Sequence, residues 1–239
     1  MYRAEDDESG QRAGVAVENV TVTNSVLVSA ASALKLGTES HGDFRHCVFS
    51  NCVIRESRSG TALLANDGGV MEDIRFQNIV MTTVPKWGQG VEWPIVVDVD
   101  KRTPESRLSR IRDVGFSDIT IYTKGRILVE GTPESPIEQI SFRNVLMRMT
   151  GYENIAKVRK LRAGAKTQAG GMPDYGPSAA AMIFGFVKGL VLDGITTVWP
   201  NAEDGPERAD LFTDRVEDFR IAGFAGKGLG QVVNLPAKR

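Results

Sequence analysis

The chain is predicted to be an all-β solenoid, a parallel β-helix of about seven turns with three short strands per turn. Three observations point there: an eight-residue pattern repeated seven times, an Asn-rich corner closing each copy, and a charge column that alternates in sign. The pattern is apolar-x-x-apolar-x-apolar-x-Asn. It occupies residues 17–24 (VENVTVTN), 44–51 (FRHCVFSN), 71–78 (MEDIRFQN), 111–118 (IRDVGFSD), 137–144 (IEQISFRN), 187–194 (VKGLVLDG) and 216–223 (VEDFRIAG). The fourth positions, Val20, Cys47, Ile74, Val114, Ile140, Leu190 and Phe219, are spaced by 27, 27, 40, 26, 50 and 29 residues. Units of this size bury an apolar face only by stacking on their neighbours.

Within each copy the apolar fourth and sixth positions give the two-residue period of a strand with one face buried. The eighth position is Asn, Asn, Asn, Asp, Asn, Gly and Gly, the residues that best tolerate positive φ, so a sharp corner is expected there. Alternation then resumes at 25–27, 52–54 and 79–81, and a third apolar run follows at 33–36, 95–99, 127–129 and 182–184. These runs are rich in Val and Ile, and no helix-period segment lies between them. A leucine-rich repeat is the nearest rival. It places two residues between its last strand apolar and its Asn, where this chain has one, and leucine does not dominate here.

The second position reads Glu18, Arg45, Glu72, Arg112, Glu138, Lys188 and Glu217. Rungs stacked about 4.8 Å apart would set opposite charges side by side at every step. Each exposed pair adds only about a few tenths of a kcal/mol, but a slipped register would juxtapose like charges.

At 239 residues and 41% hydrophobic content, residues 1–239 suffice for one elongated domain, with inserted loops at 84–94 and 152–178. A net charge of −1 gives no argument for nucleic acid or a membrane surface as partner. No stretch is long enough to cross a bilayer, and the polar N-terminus does not read as a signal peptide. Cys47 and Cys52 flank the Asn51 corner at inward positions and read as buried thiols, with a disulfide the alternative. The first copy begins behind an acidic stretch with no amphipathic period, and neither end offers a helical cap. The chain is therefore expected to be the C-terminal part of a longer β-helix.

Residues 18–28 (ENVTVTNSVLV), 33–40 (ALKLGTES), 44–54 and 68–79 (GGVMEDIRFQNI) resemble glycoside hydrolase family 28, the polygalacturonase-like enzymes of pectin degradation. Leu36-Gly37-Thr38-Glu39 is similar to that family's Ile-Gly-Ser-Glu segment. The resemblance runs from about residue 15 to 82. It implies a right-handed β-helix, hydrolysis of galacturonan-type chains with inversion by paired carboxylates, no cofactor, and a secreted or periplasmic parent. The family's Asn-x-Asp and Asp-Asp motifs would lie upstream, and Asp6-Asp7 sits in a stretch without strand apolars. Where the family has Gly-His-Gly this chain has residues 29–33 (SAASA), and where it has Arg-x-Lys this chain has 62–64 (ALL). The chain is expected to be weak or inactive as a hydrolase. A non-catalytic carbohydrate-binding or structural β-helix is the alternative, and a polysaccharide lyase a third possibility.

The family's cleft follows the outer face of the strand holding Leu34 and Leu36. By strand parity Lys35, Asp98, Asp100 and Glu130 face outward there and are candidates for binding sugar hydroxyls or a uronate; Glu39 lies just past the strand end. Solvated strand charges are the plain alternative. His41 and His46 read as surface residues, and no spacing suggests a metal. Trp87 and Trp93 could present a flat face to a pyranose ring or bury themselves over the solenoid edge. Lys157, Arg159, Lys160, Arg162 and Lys166 make the 152–178 insertion basic, fitting an acidic polysaccharide or simply a solvated loop.

Overall fold

The structure is a computed structural model describing residues 5–6, 12–13, 15–86, 92–151, 179–200 and 208–226. In chain order the strands are β1 (Glu5–Asp6), β2 (Arg12–Ala13), β3 (Val17–Glu18), β4 (Thr21–Thr23), β5 (Val26–Leu27), β6 (Ser32–Thr38), β7 (Phe44–Ser57) and β8 (Ser59–Ala65). They continue as β9 (Val70–Thr83), β10 (Trp93–Val99), β11 (Arg110–Thr123), β12 (Ile127–Glu130), β13 (Ile137–Met149), β14 (Ala179–Val198), β15 (Arg208–Glu217) and β16 (Arg220–Ala222). Apart from the small antiparallel pair β1–β2, every pairing is parallel, in one curled sheet consistent with a parallel β-solenoid. No helix occurs among the described residues, so none is long and apolar enough to cross a membrane.

The pairing offsets reproduce the spacing read from the sequence. Cys47 pairs with Ile74, Ile74 with Val114, Val114 with Ile140 and Ile140 with Leu190. The second positions stack likewise, from Glu18 opposite Arg45 through to Lys188 opposite Glu217. Arg45 reaches Glu18 at 3.2 Å and Glu72 at 2.9 Å, and Arg112 pairs with Glu72 from the other side.

The expected corner is present in all seven copies. Asn24, Asn51, Asn78, Asp118, Asn144, Gly194 and Gly223 have φ between 51° and 66°. Some of these corners also bond to one another: Asn78 Nδ2 donates to Asn51 Oδ1 at 2.8 Å, and Asn144 Nδ2 to Asp118 Oδ1 at 2.6 Å.

A second left-handed column, five residues earlier, was not anticipated. It comprises Asn19, His46, Asp73, Asp113, Gln139, Gly189 and Asp218, with φ from 50° to 80°. Six of its seven residues are Asn, Asp, Gly or His, types enriched at positive φ, so only Gln139 gives no local signal. As outward polar positions inside an alternating run they read simply as solvated side chains.

The expectation of three short strands per turn requires correction. A single positive-φ residue interrupts the ladder for one residue only, so pairing resumes at once and the strands run on through their bends. The first two expected strands are thus one element of 13 or 14 residues in β7, β9, β11 and β13. In β14 even the third run is continuous with the next copy, bending at Phe186.

Inward columns form one continuous core cluster from Leu34 to Leu211, with Cys47 and Cys52 as free buried thiols inside it. The sixth position supplies Phe49, Phe76, Phe116 and Phe142. Their rings stack at 4.8, 4.9 and 4.8 Å, tilted by no more than 12°. That is the rung spacing itself, since in-register parallel strands dictate the ring separation.

Phe116→Ala, in the middle of this stack, should cost about 3–5 kcal/mol in urea denaturation, whereas Phe116→Leu should cost less than about 1.5 kcal/mol. Equal, small losses in both variants would show that the stack is not a principal support.

Candidate functional site

The third run of each copy, β6, β8, β10, β12 and the first part of β14 and β15, forms its own parallel column. Its outward side carries two rows. One runs Lys35, Ala62, Val96, Leu128, Ile183, Phe212; the other runs Gly37, Leu64, Asp98, Glu130, Gly185, Asp214. Strand parity therefore puts Lys35, Asp98 and Glu130 on one face, as expected. Asp98 and Glu130 are neighbours on adjacent rungs.

Lys35 lies in the other row, two rungs from Asp98, and its charged neighbours are cationic. Its ammonium pKa is lowered by partial burial and then by the charges of Arg58 and Arg102. Glu39 is exposed just beyond β6, where its charge acts on Arg102.

The face is less open than the sequence suggested. Val96, Leu128, Ile183 and Phe212 form a second buried apolar cluster along the outward row, with Trp93 and Leu64 packed against it. Glu130 is only 5% exposed. Trp93 is thus half-buried over the sheet, the second of the two roles considered for it. Asp100 accepts from Lys101 N at 2.8 Å at the strand end. Trp87, Asp7 and the basic 152–178 insertion lie outside the described residues, and Asp6 belongs to β1, apart from the parallel sheet. His46 is exposed and holds Asp73 at 2.7 Å.

Several polar residues of the site went unnoticed in the sequence. Asp67, whose side chain is 1% exposed, receives Arg102 Nε at 2.7 Å and Nη2 at 2.8 Å, and Ser40 N at 3.0 Å. Burial pushes its carboxyl up, but the Arg102 and Ser40 hydrogen bonds outweigh that and hold it below the ordinary value. Arg102 also donates to Thr38 O at 3.0 Å, tying the end of β6 to the loop after β10. This guanidinium comes from extra residues at 100–109, so the 40-residue interval is lengthened there as well as in the 84–94 insertion. Asp214, in the same row as Asp98, is held by Arg215 at 2.6 Å, and Arg215 lies 3.8 Å over the Phe186 ring. Counting the register past Gly185 would have located it.

Two further buried carboxylates brace the corners. Glu92 Oε2 accepts from Thr83 and Thr123 hydroxyls at 2.9 and 3.0 Å and from Lys124 N at 2.9 Å. Asp210 is fully buried; its Oδ1 accepts from Thr197 Oγ1 at 2.5 Å and Trp199 Nε1 at 2.7 Å, while Oδ2 has no partner among the described residues. Burial pushes the Asp210 carboxyl up, only partly offset by those two donors.

Among the described residues no group of three or more His, Cys, Asp or Glu side chains could hold a metal ion. Chemically, the face offers a carboxylate pair on adjacent rungs and a cationic end at Lys35 and Arg102. No protein-family model matches the chain, and no curated protein or solved structure matches it either.

Because folding raises the Asp210 pKa, the folded state binds this proton more tightly than the unfolded chain does. Stability from this group is complete below the unfolded carboxylate value and declines as pH rises through the folded one. Asp210→Asn should therefore be more stable than the parent at neutral pH, with that advantage shrinking below about pH 4. Thermal midpoints across pH 3 to 8 measure this, and a gap independent of pH would contradict it.

Proposed function

We propose that the chain is a polysaccharide-binding, right-handed β-helix of about seven turns, related to the polygalacturonase-like hydrolases and weak or inactive in cleavage. The observation that carries this reading is that Lys35, Asp98 and Glu130 share one outward face of a rigid parallel column. Of the three, Lys35 is exposed, and its ammonium can hydrogen-bond the hydroxyls and carboxylates of an acidic glycan. The resemblance over residues 15 to 82 adds the substrate class.

A non-catalytic role is favoured by a specific observation. Glu130, one member of the adjacent carboxylate pair, is buried, and the row beside it is apolar and covered. A general acid must reach the glycosidic oxygen. Glycan is therefore held at the accessible end of this face, around Lys35, Glu39 and Arg102.

Calorimetry with galacturonan oligosaccharides, alongside a reducing-end assay, tests the proposal. Saturable binding is expected with little or no turnover, and Lys35→Ala should weaken it about tenfold, or ~1.4 kcal/mol. Absence of binding to any acidic oligosaccharide at millimolar concentration would refute it. Rapid cleavage lost on Glu130→Gln would restore the hydrolase reading instead.

A further inference from the structure

A groove of about 730 Å³ lies on the long strands and shares no lining residue with the Lys35 face. It follows the first bend column through the last four copies. The outward fifth position explains why it opens. In the third copy that position is Arg75, whose side chain lies over Gly115 and whose guanidinium donates to Asp113 O at 2.6 Å and Oδ1 at 3.0 Å. Beyond it the same column holds only Gly115, Ser141 and Val191 until Arg220. The bend column thins too, because Gly189, at φ 80°, contributes no side chain. Arg75 thus closes one end and Arg220 the other, four rung steps or about 19 Å along the axis, with the three small-residue rungs between them.

The electrostatics change at the same place. In the first four copies the charge column satisfies itself through Glu18, Arg45, Glu72 and Arg112. Glu138, Lys188 and Glu217 occupy the same column in register, yet no ion pair closes between them among the described residues. Lys188 and Glu138 instead line the groove, together with Asp218 and Arg220.

We infer that this groove is a second binding site, for two or three sugar residues of a neutral glycan. Its lining alternates donors and acceptors: three carboxylates (Asp113, Glu138, Asp218), the Gln139 amide, the Ser141 hydroxyl, and the Lys188 and Arg220 cations. With Asp113 paired to Arg75, the remaining two carboxylates and two cations balance, so the groove matches neither a nucleic acid nor a strongly acidic glycan. Its floor strands β11, β13 and β14 are paired on both sides, and only β16 has an unpaired edge among the described residues. A peptide joining that edge would run parallel to the strands, not across them along the groove. A polyol chain needs neither net charge nor a free edge. It presents hydroxyls at intervals close to one rung, each able to share a carboxylate or ammonium from successive copies.

The inference stands independently of the acidic-glycan reading and is tested separately. The full chain is titrated by calorimetry with neutral tetrasaccharides of α-glucan, β-glucan, xylan, mannan and galactan. At least one should bind with Kd between about 10 μM and 1 mM. Ser141→Arg, which places a second Arg75-like arm in the groove, should weaken binding at least tenfold. Lys188→Ala, an exposed change that leaves the core untouched, should weaken it severalfold. Lys35→Ala should leave it unchanged. No binding across the panel, or binding indifferent to both groove variants, would overturn the inference, as would preference for a peptide library over every glycan.

Discussion

Everything in this molecule depends on parallel strands paired in register at one fixed spacing. That constraint makes each column a ladder of equivalent positions, so a single residue choice is judged against its counterparts above and below. Phenylalanine at the sixth position is favourable because the next rung also has phenylalanine, at 4.8 or 4.9 Å. Arg45 is favourable at the second position because Glu18 and Glu72 lie on either side of it. The left-handed bends must likewise superpose, or the strands they join would diverge. Two such columns, five residues apart in every copy, keep the long strands aligned.

This is also why so much of the fold was legible in the sequence. The fourth-position spacing became the pairing offset without adjustment, even across intervals of 40 and 50 residues. The Asn, Asp and Gly of the eighth position announced their backbone conformation through residue type. The earlier bend column carries much the same residue types in Asn19, His46, Asp73, Asp113, Gly189 and Asp218, but at outward positions these read as solvated side chains, and only at Gln139 does the ladder impose the conformation against residue preference. Strand count failed for a related reason. A bend of one residue looks like a boundary in the sequence, but its neighbours keep their hydrogen bonds on both sides.

The candidate site was read less well, and the failure is physical. Strand parity gave the outward direction of Lys35, Asp98 and Glu130, but direction is not exposure. Whether an outward residue meets water depends on what lies across it, and no period in the chain encodes that. The groups that set the charge around Lys35 come from outside the repeat as well. Arg58 sits between β7 and β8, and Arg102 comes from a loop lengthened by a few residues. Asp67 and Asp210 are buried through partners 35 and 13 residues away, separations that no local motif reveals.

The ladder logic also indicates where function can be added without harm. A solenoid tolerates outward change wherever the inward columns and the two bends are kept, so its faces can diverge copy by copy. In the first four copies the second-position charges are spent on one another, which favours register. From the fifth copy on, the alternation persists in the sequence, but no ion pair links Glu138, Lys188 and Glu217 among the described residues, so those charges no longer serve the register locally. The aromatic stack also ends there: Leu192 follows Phe142 at the sixth position, and the Phe142 ring instead meets Phe184 of the third run edge-on at 5.5 Å. Registry in these copies rests instead on β14, a 20-residue strand that pairs with β13 and β12 on one side and β15 and β16 on the other. A single strand that spans two columns fixes their relative position through its own backbone, and the outward charges beside it are released for other contacts.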